Sequence, residues 1–172
     1  MRPASGEVLH FSEDPTIDVF RPHVAKTAQK VTPYVWAVGH DRAPDYWFPR
    51  QCPRAMAWVG PSTTPDDRDR IIGAGSGTRV HAVEYGWLDA MRTVELYAYR
   101  LPADVFVEHD AAVVATAEVR PLGPPERVGD LFELYDEAGI QLRVLTRLHD
   151  FWSKVTVSTL EWSGIRMRNA RP

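Results

Sequence analysis

Apolar and polar positions alternate along residues 7–11 (EVLHF), with Leu9 and Phe11 on one face and Val8 and His10 on the other, which predicts a first strand. SEDP at 12–15 closes it, and Ile17, Val19 and Phe20 form an apolar clasp before Pro22. Residues 23–32 are polar and read as a mobile loop. Residues 34–38 (YVWAV) predict a short, largely apolar strand ended by a turn at Gly39-His40-Asp41. Residues 42–48 suit one or two helical turns, because Pro44 falls in a first turn that needs no N–H partner. Pro49 and Pro53 stop that helix ahead of a strand at 54–59.

Thr64-Pro65-Asp66-Asp67 is a helix start, with Thr as N-cap, Pro at the first position and acids in the first turn; the helix ends by Gly73. Strands follow at 79–85, 93–101 and 112–119, with a helical turn around Trp87, Leu88 and Met91. In the last of these strands Val113, Ala115, Ala117 and Val119 face one way, and Val114, Thr116 and Glu118 the other. Residues 121–125 form a rigid connector. Residues 130–138 read as a helix with Leu131, Leu134, Tyr135 and Ala138 on one stripe and Gly139 as its cap. A strand at 140–145 precedes the longest helix expected, 147–160, with Leu148, Phe151, Trp152 and Val155 at i, i+3, i+4 and i+7. Helices and strands interleave without regular βαβ spacing. The expected class is therefore α+β: one domain over 1–172, with a split or mixed, mainly antiparallel sheet flanked by helices.

The stretch 33–53 holds five of the eighteen aromatics, Tyr34, Trp36, Tyr46, Trp47 and Phe48. Such a density forms either a wall for a flat ligand or a plug for a core. Composition narrows the class. With 44% hydrophobic and 25% charged residues the chain is globular, and 172 residues are enough for a full core. A net charge of −3 argues against a nucleic-acid binder working through general basicity. No apolar run approaches the roughly 20 residues of a membrane span, and MRPASGEV lacks a signal-peptide core. A single cysteine excludes an internal disulfide and fits a reducing cytoplasm.

Candidate chemistry is sparse. GAGSG at 73–77 lacks the Lys-Ser/Thr of a phosphate-cradling loop and leads into a strand, so it reads as a connector. The six histidines show no HxH or HxxxH spacing, and no metal site is expected. Cys52, between Arg50 and Arg54, is either an activated thiol or a buried structural one, and burial is the stronger reading. His10 and Ser12 put two hydrogen-bonding side chains on one strand face, a pair able to hold a ribose or phosphate; the alternative is a histidine satisfied by local backbone. Glu161 is expected at the end of the longest helix, capped by Gly164 and paired with Arg166 or Arg168, the rival reading making it the cleft acid.

Two resemblances add to this. LHFSEDPTI (9–17), YVWA (34–37), YWFPRQCPR (46–54), GDLFELYDEAGI (129–140) and STLEWSGIRMRN (158–169) resemble a bacterial family of unknown function along almost the whole chain. More remotely, LHFS resembles the first-strand motif of ADP-ribosyltransferases, where a histidine and a small hydroxyl residue hold the NAD ribose. Val35-Trp36-Ala37 followed by Tyr46 is similar to that fold's second motif, a Tyr-Phe-Ala strand and a helix whose tyrosine stacks on nicotinamide. The motif's strand tyrosine falls on Val35, with Tyr34 displaced by one and pointing the other way. The resemblance implies an ADP-ribosyltransferase-like fold and NAD as substrate. His10, Ser12, Trp36 and Tyr46 would bind it, and Glu118 would be the carboxylate beside the ribose. A non-catalytic nucleotide- or partner-binding module on the same fold, or an RNA 2′-phosphotransferase-like enzyme, are the alternatives.

Overall fold

A computed structural model describes residues 1–24, 32–74, 77–110 and 112–172. The first half carries β1 (Glu7–Ser12), β2 (Val35–Ala37), β3 (Arg54–Trp58), α1 (Pro65–Ile71), β4 (Arg79–Glu84) and α2 (Leu88–Thr93). Then come β5 (Tyr97–Pro102), β6 (Val107–His109), β7 (Ala112–Ala115), β8 (Glu126–Arg127) and α3 (Leu131–Glu137). The chain closes with β9 (Gln141–Leu145), α4 (Leu148–Val155) and β10 (Glu161–Ile165). The class is α+β with mainly antiparallel pairing, as the interleaved pattern implies; among the described strands only β4 and β9 pair in parallel.

The chain forms two compact units. One comprises Met1–Trp47 and Glu95–Gly129, the other Phe48–Val94 and Asp130–Pro172. In the first, β1-β5-β8 and β2-β7-β6 are three-stranded sheets, and a bridge between Leu9 and Val38 ties β1 to the end of β2. Val8, Phe20, Val35, Ala37, Tyr99 and Leu101 are among the residues of its core. Val35 and Ala37 can point inward because alternate strand positions face opposite ways, which leaves Tyr34 and Trp36 on the outer face.

In the second unit the sheet order is β10-β3-β4-β9. Leu148, Phe151 and Val155 are buried on one stripe of α4 against Ala55, Ala57, Val80 and Ala82 of the sheet. Each such side chain contributes about 1.5–3 kcal/mol of burial. Buried Glu84 accepts from the Leu148 N–H at 2.9 Å and the Arg171 N–H at 3.1 Å, fixing the start of α4 and the C-terminal tail on the sheet.

Several boundaries depart from the sequence pattern. The strand expected at 93–101 starts only at Tyr97, because Thr93 completes α2 and its hydroxyl donates to Asp89 O at 2.8 Å. The strand expected at 112–119 stops at Ala115; the chain bends, and Val119 pairs with Phe20 instead. The helix expected at 147–160 ends at Val155, where the Thr156 and Ser158 hydroxyls take up the Trp152 and Val155 carbonyls. Residues 161–165 form the edge strand β10, so Gly164 is no helix cap. Two short strands, β6 and β8, have no counterpart in the pattern. The polar segment at 23–32 and the glycine loop at 73–77 lie partly outside the described residues.

Candidate functional site

In the first unit, the β1–β2 junction carries most of the candidate side chains. His10 Nδ1 lies 2.7 Å from Trp36 O. A carbonyl only accepts, so Nδ1 carries a proton in this contact. The imidazole also packs on Phe20, with ring centroids 4.6 Å apart. Ser12 shares His10's face of β1 and is buried; its Oγ accepts from the Asp14 N–H at 3.1 Å. The Asp14 carboxylate in turn takes the Thr16 N–H and hydroxyl, which holds its pKa below the usual range, and Tyr99 OH donates to Asp14 O at 2.6 Å. The turn after β1 is thus pinned by its own side chains.

Trp36 stands in an aromatic cluster. Its ring lies 5.8 Å from Tyr34 and 5.5 Å from His109, and those two lie 5.3 Å apart. All three are half-buried on the outer face of the β2-β7-β6 sheet. Tyr46 closes a 3-10 turn, Ala43–Tyr46, with Pro44 in its first positions as expected, and is also half-buried. Glu118 is exposed and bonded to Arg21 Nε at 2.8 Å. That pair flanks the Phe20–Val119 bridge, and Phe20 is the ring that touches His10.

The structure therefore bonds His10 to the backbone carbonyl of Trp36, whose ring lies on the outer face of its sheet, adds Ser12 on the His10 face of β1, and leaves Glu118 in an exposed ion pair beside the Phe20–Val119 bridge. His109 and the Tyr34–Trp36–His109 grouping were missed in the sequence. The register that sets Tyr34 opposite to Val35 was the available signal for Tyr34. The short β6 that carries His109 has only the weak alternation of Val105 and Val107.

In the second unit, Cys52 is buried, and loss of solvent pushes its thiol up to about 12 despite Arg54 nearby. It is a structural thiol. Fully buried His81 accepts from Arg79 Nε at 2.9 Å, so its Nδ1 donates toward the Tyr135 hydroxyl at 3.3 Å, and Phe48 stacks beside it. Glu161 is exposed on β10 opposite Trp58 and has no ion-pair partner among the described residues, so the expected pairing with Arg166 or Arg168 is not made. The helix-end premise behind that pairing fails with the strand assignment. Among the described residues no group of three or more His, Cys, Asp or Glu side chains is placed to hold a metal ion.

A family of unknown function, DUF6886, matches residues 9–170. The chain belongs to that family. No curated protein and no solved structure matches it. Among the described residues no helix is long and apolar enough to cross a membrane.

Proposed function

We propose that the protein is an ADP-ribosyltransferase-like NAD-binding protein that acts at the nicotinamide–ribose bond, with its site at the β1–β2 junction. The observation that carries this reading is the 2.7 Å bond from His10 to Trp36 O, which links residues 26 apart in sequence. The two motifs that resemble a ribose-holding and a nicotinamide-stacking element are thereby adjacent in space. The His10 ring and Ser12, on one face of β1, meet the ribose. Trp36 with its aromatic neighbours offers a face for the nicotinamide ring, an interaction of about 1–3 kcal/mol for a stacked base. Tyr46 follows β2 in the order the resemblance requires.

Cleavage breaks the C–N bond, and the electron pair leaves with nicotinamide. Positive charge develops on the ribose, and a carboxylate placed beside it stabilises that transition state more than the ground state. Glu118 takes this role once it exchanges Arg21 for substrate, an exchange that costs little because an exposed ion pair is worth about 0–1 kcal/mol. The test is nicotinamide release from NAD by wild type and Glu118→Ala. The variant is expected to lose turnover while keeping NAD affinity within a few-fold. Equal loss of both would make Glu118 a ground-state ligand.

A non-catalytic binding module on the same scaffold is the second reading. Val35, where the resemblance asks for a tyrosine, is buried in the core, and Glu118 is already paired. NAD binding without nicotinamide release from wild type would favour it.

A further inference from the structure

The second unit holds a groove of about 380 Å³ where the ends of α1 and β9 meet α4. Four cations line it, Arg70, Arg143, Arg147 and Lys154, against one lining acid, Asp150; Arg70 is already paired with Asp67, which leaves three cations against that acid. This is a local excess of positive charge in a chain whose net charge is −3. We propose that the groove binds a compact diphosphate, either free pyrophosphate or the terminal phosphates of a nucleotide, at a site separate from the one built on His10.

Three observations point to this ligand class. Arg143 is half-buried and fixed: its guanidinium donates to Ile71 O at 2.7 Å and Ile72 O at 2.8 Å and stands 5.3 Å from the Phe151 ring. It also donates to Gln141 Oε1 but has no carboxylate partner among the described residues; burial disfavours its charge, and a bound anion would offset that. Arg147 and Lys154 are exposed, and their side chains make no hydrogen bond or ion pair among the described residues. Asp150 lies four residues before Lys154 on α4, within helical pairing distance, and three after Arg147, the extended residue that precedes the helix, yet pairs with neither.

The spacing selects the ligand's size. Arg147 and Lys154 are separated by about 10 Å along a helix axis, which two long side chains can close around adjacent phosphoryl groups. Guanidinium forks match phosphate oxygens in pairs, and a lysine ammonium adds a point charge. Ile71, Leu145 and Phe151 give the groove apolar walls that raise the strength of such contacts. The volume falls at the small end of ligand pockets.

The test is calorimetric titration with inorganic pyrophosphate at low ionic strength, with sulfate at matched ionic strength as control. Wild type is expected to bind pyrophosphate more tightly than sulfate. The double variant Arg147→Gln/Lys154→Gln should lose about tenfold or more in affinity, with the unliganded melting temperature unchanged because neither side chain has a structural partner. Asp150→Asn should tighten binding by removing the acid that lines the groove, and His10→Ala should leave it unchanged. Sulfate binding as tightly as pyrophosphate, or a double variant that binds like wild type, would overturn the proposal. So would a short RNA that binds through Arg147 and Lys154 while pyrophosphate fails to compete.

Discussion

Cys52 lies two residues from Arg50 and from Arg54, yet charge does not decide its chemistry. Arg54 draws the thiol pKa down, burial pushes it up, and burial wins, leaving it at about 12. Native protein is therefore expected to resist iodoacetamide at pH 8 and to label fully once unfolded; rapid labelling of the native state would refute the buried assignment. His10 shows what a sequence can carry at this scale. Its pairing with Ser12 on one strand face was legible from an i, i+2 spacing, whereas its proton position depends on the Trp36 carbonyl, which no local pattern encodes. Glu118 was placed by assuming a strand through Val119. The chain leaves that strand at Thr116 to reach Phe20, and a long-range bridge of this kind leaves no trace in side-chain alternation.

At the scale of elements, capping signals were the most readable. Thr64 accepts from the Asp67 N–H and Asp130 from Phe132 and Glu133, as the helix-start residues imply, and Gly139 takes the left-handed conformation of a helix cap. The C-terminal segment was misread because the helix was extended past Val155, where its apolar stripe ends, with no proline or glycine before residue 164 to mark a stop. Gly164 now has a different reason to be glycine: a Cβ there would come within 2.8 Å of the Trp152 ring. Gly164→Ala is expected to destabilise the protein by about 1–3 kcal/mol through overpacking, measured by denaturant unfolding. An unchanged midpoint would mean the ring moves aside freely. α1 offers a pH test. Asp67 accepts from Arg70 and from the Thr159 N–H and hydroxyl, and those bonds, Arg70 first, hold its pKa at about 2 against an ordinary 3.8. Because the folded value is the lower one, its contribution is present above pH 3.8 and fades as pH falls through about 2. Asp67→Asn is expected to lower the melting temperature at pH 7 and to shrink that difference toward pH 2. A difference that stays constant with pH would show that the bonds do not depend on charge.

For the whole molecule, the α+β class followed from irregular interleaving of strands and helices, and family membership from segments spread along nearly the entire chain. The grouping of strands into three sheets did not follow, since pairings such as β1 with β5 or β4 with β9 join segments far apart in sequence. The aromatic stretch divides by burial: Trp47 and Phe48 are buried, while Tyr34, Trp36 and Tyr46 remain half-exposed. The proposed NAD site joins His10 to the strand that carries Trp36. Calorimetric titration of NAD into wild type, His10→Ala and His109→Ala tests it most directly, with Arg147→Gln/Lys154→Gln as the control. Wild type is expected to bind, both histidine variants to lose about fivefold or more in affinity, and the control to bind as wild type does. Absence of NAD binding by wild type, or histidine variants that bind as tightly, would contradict it.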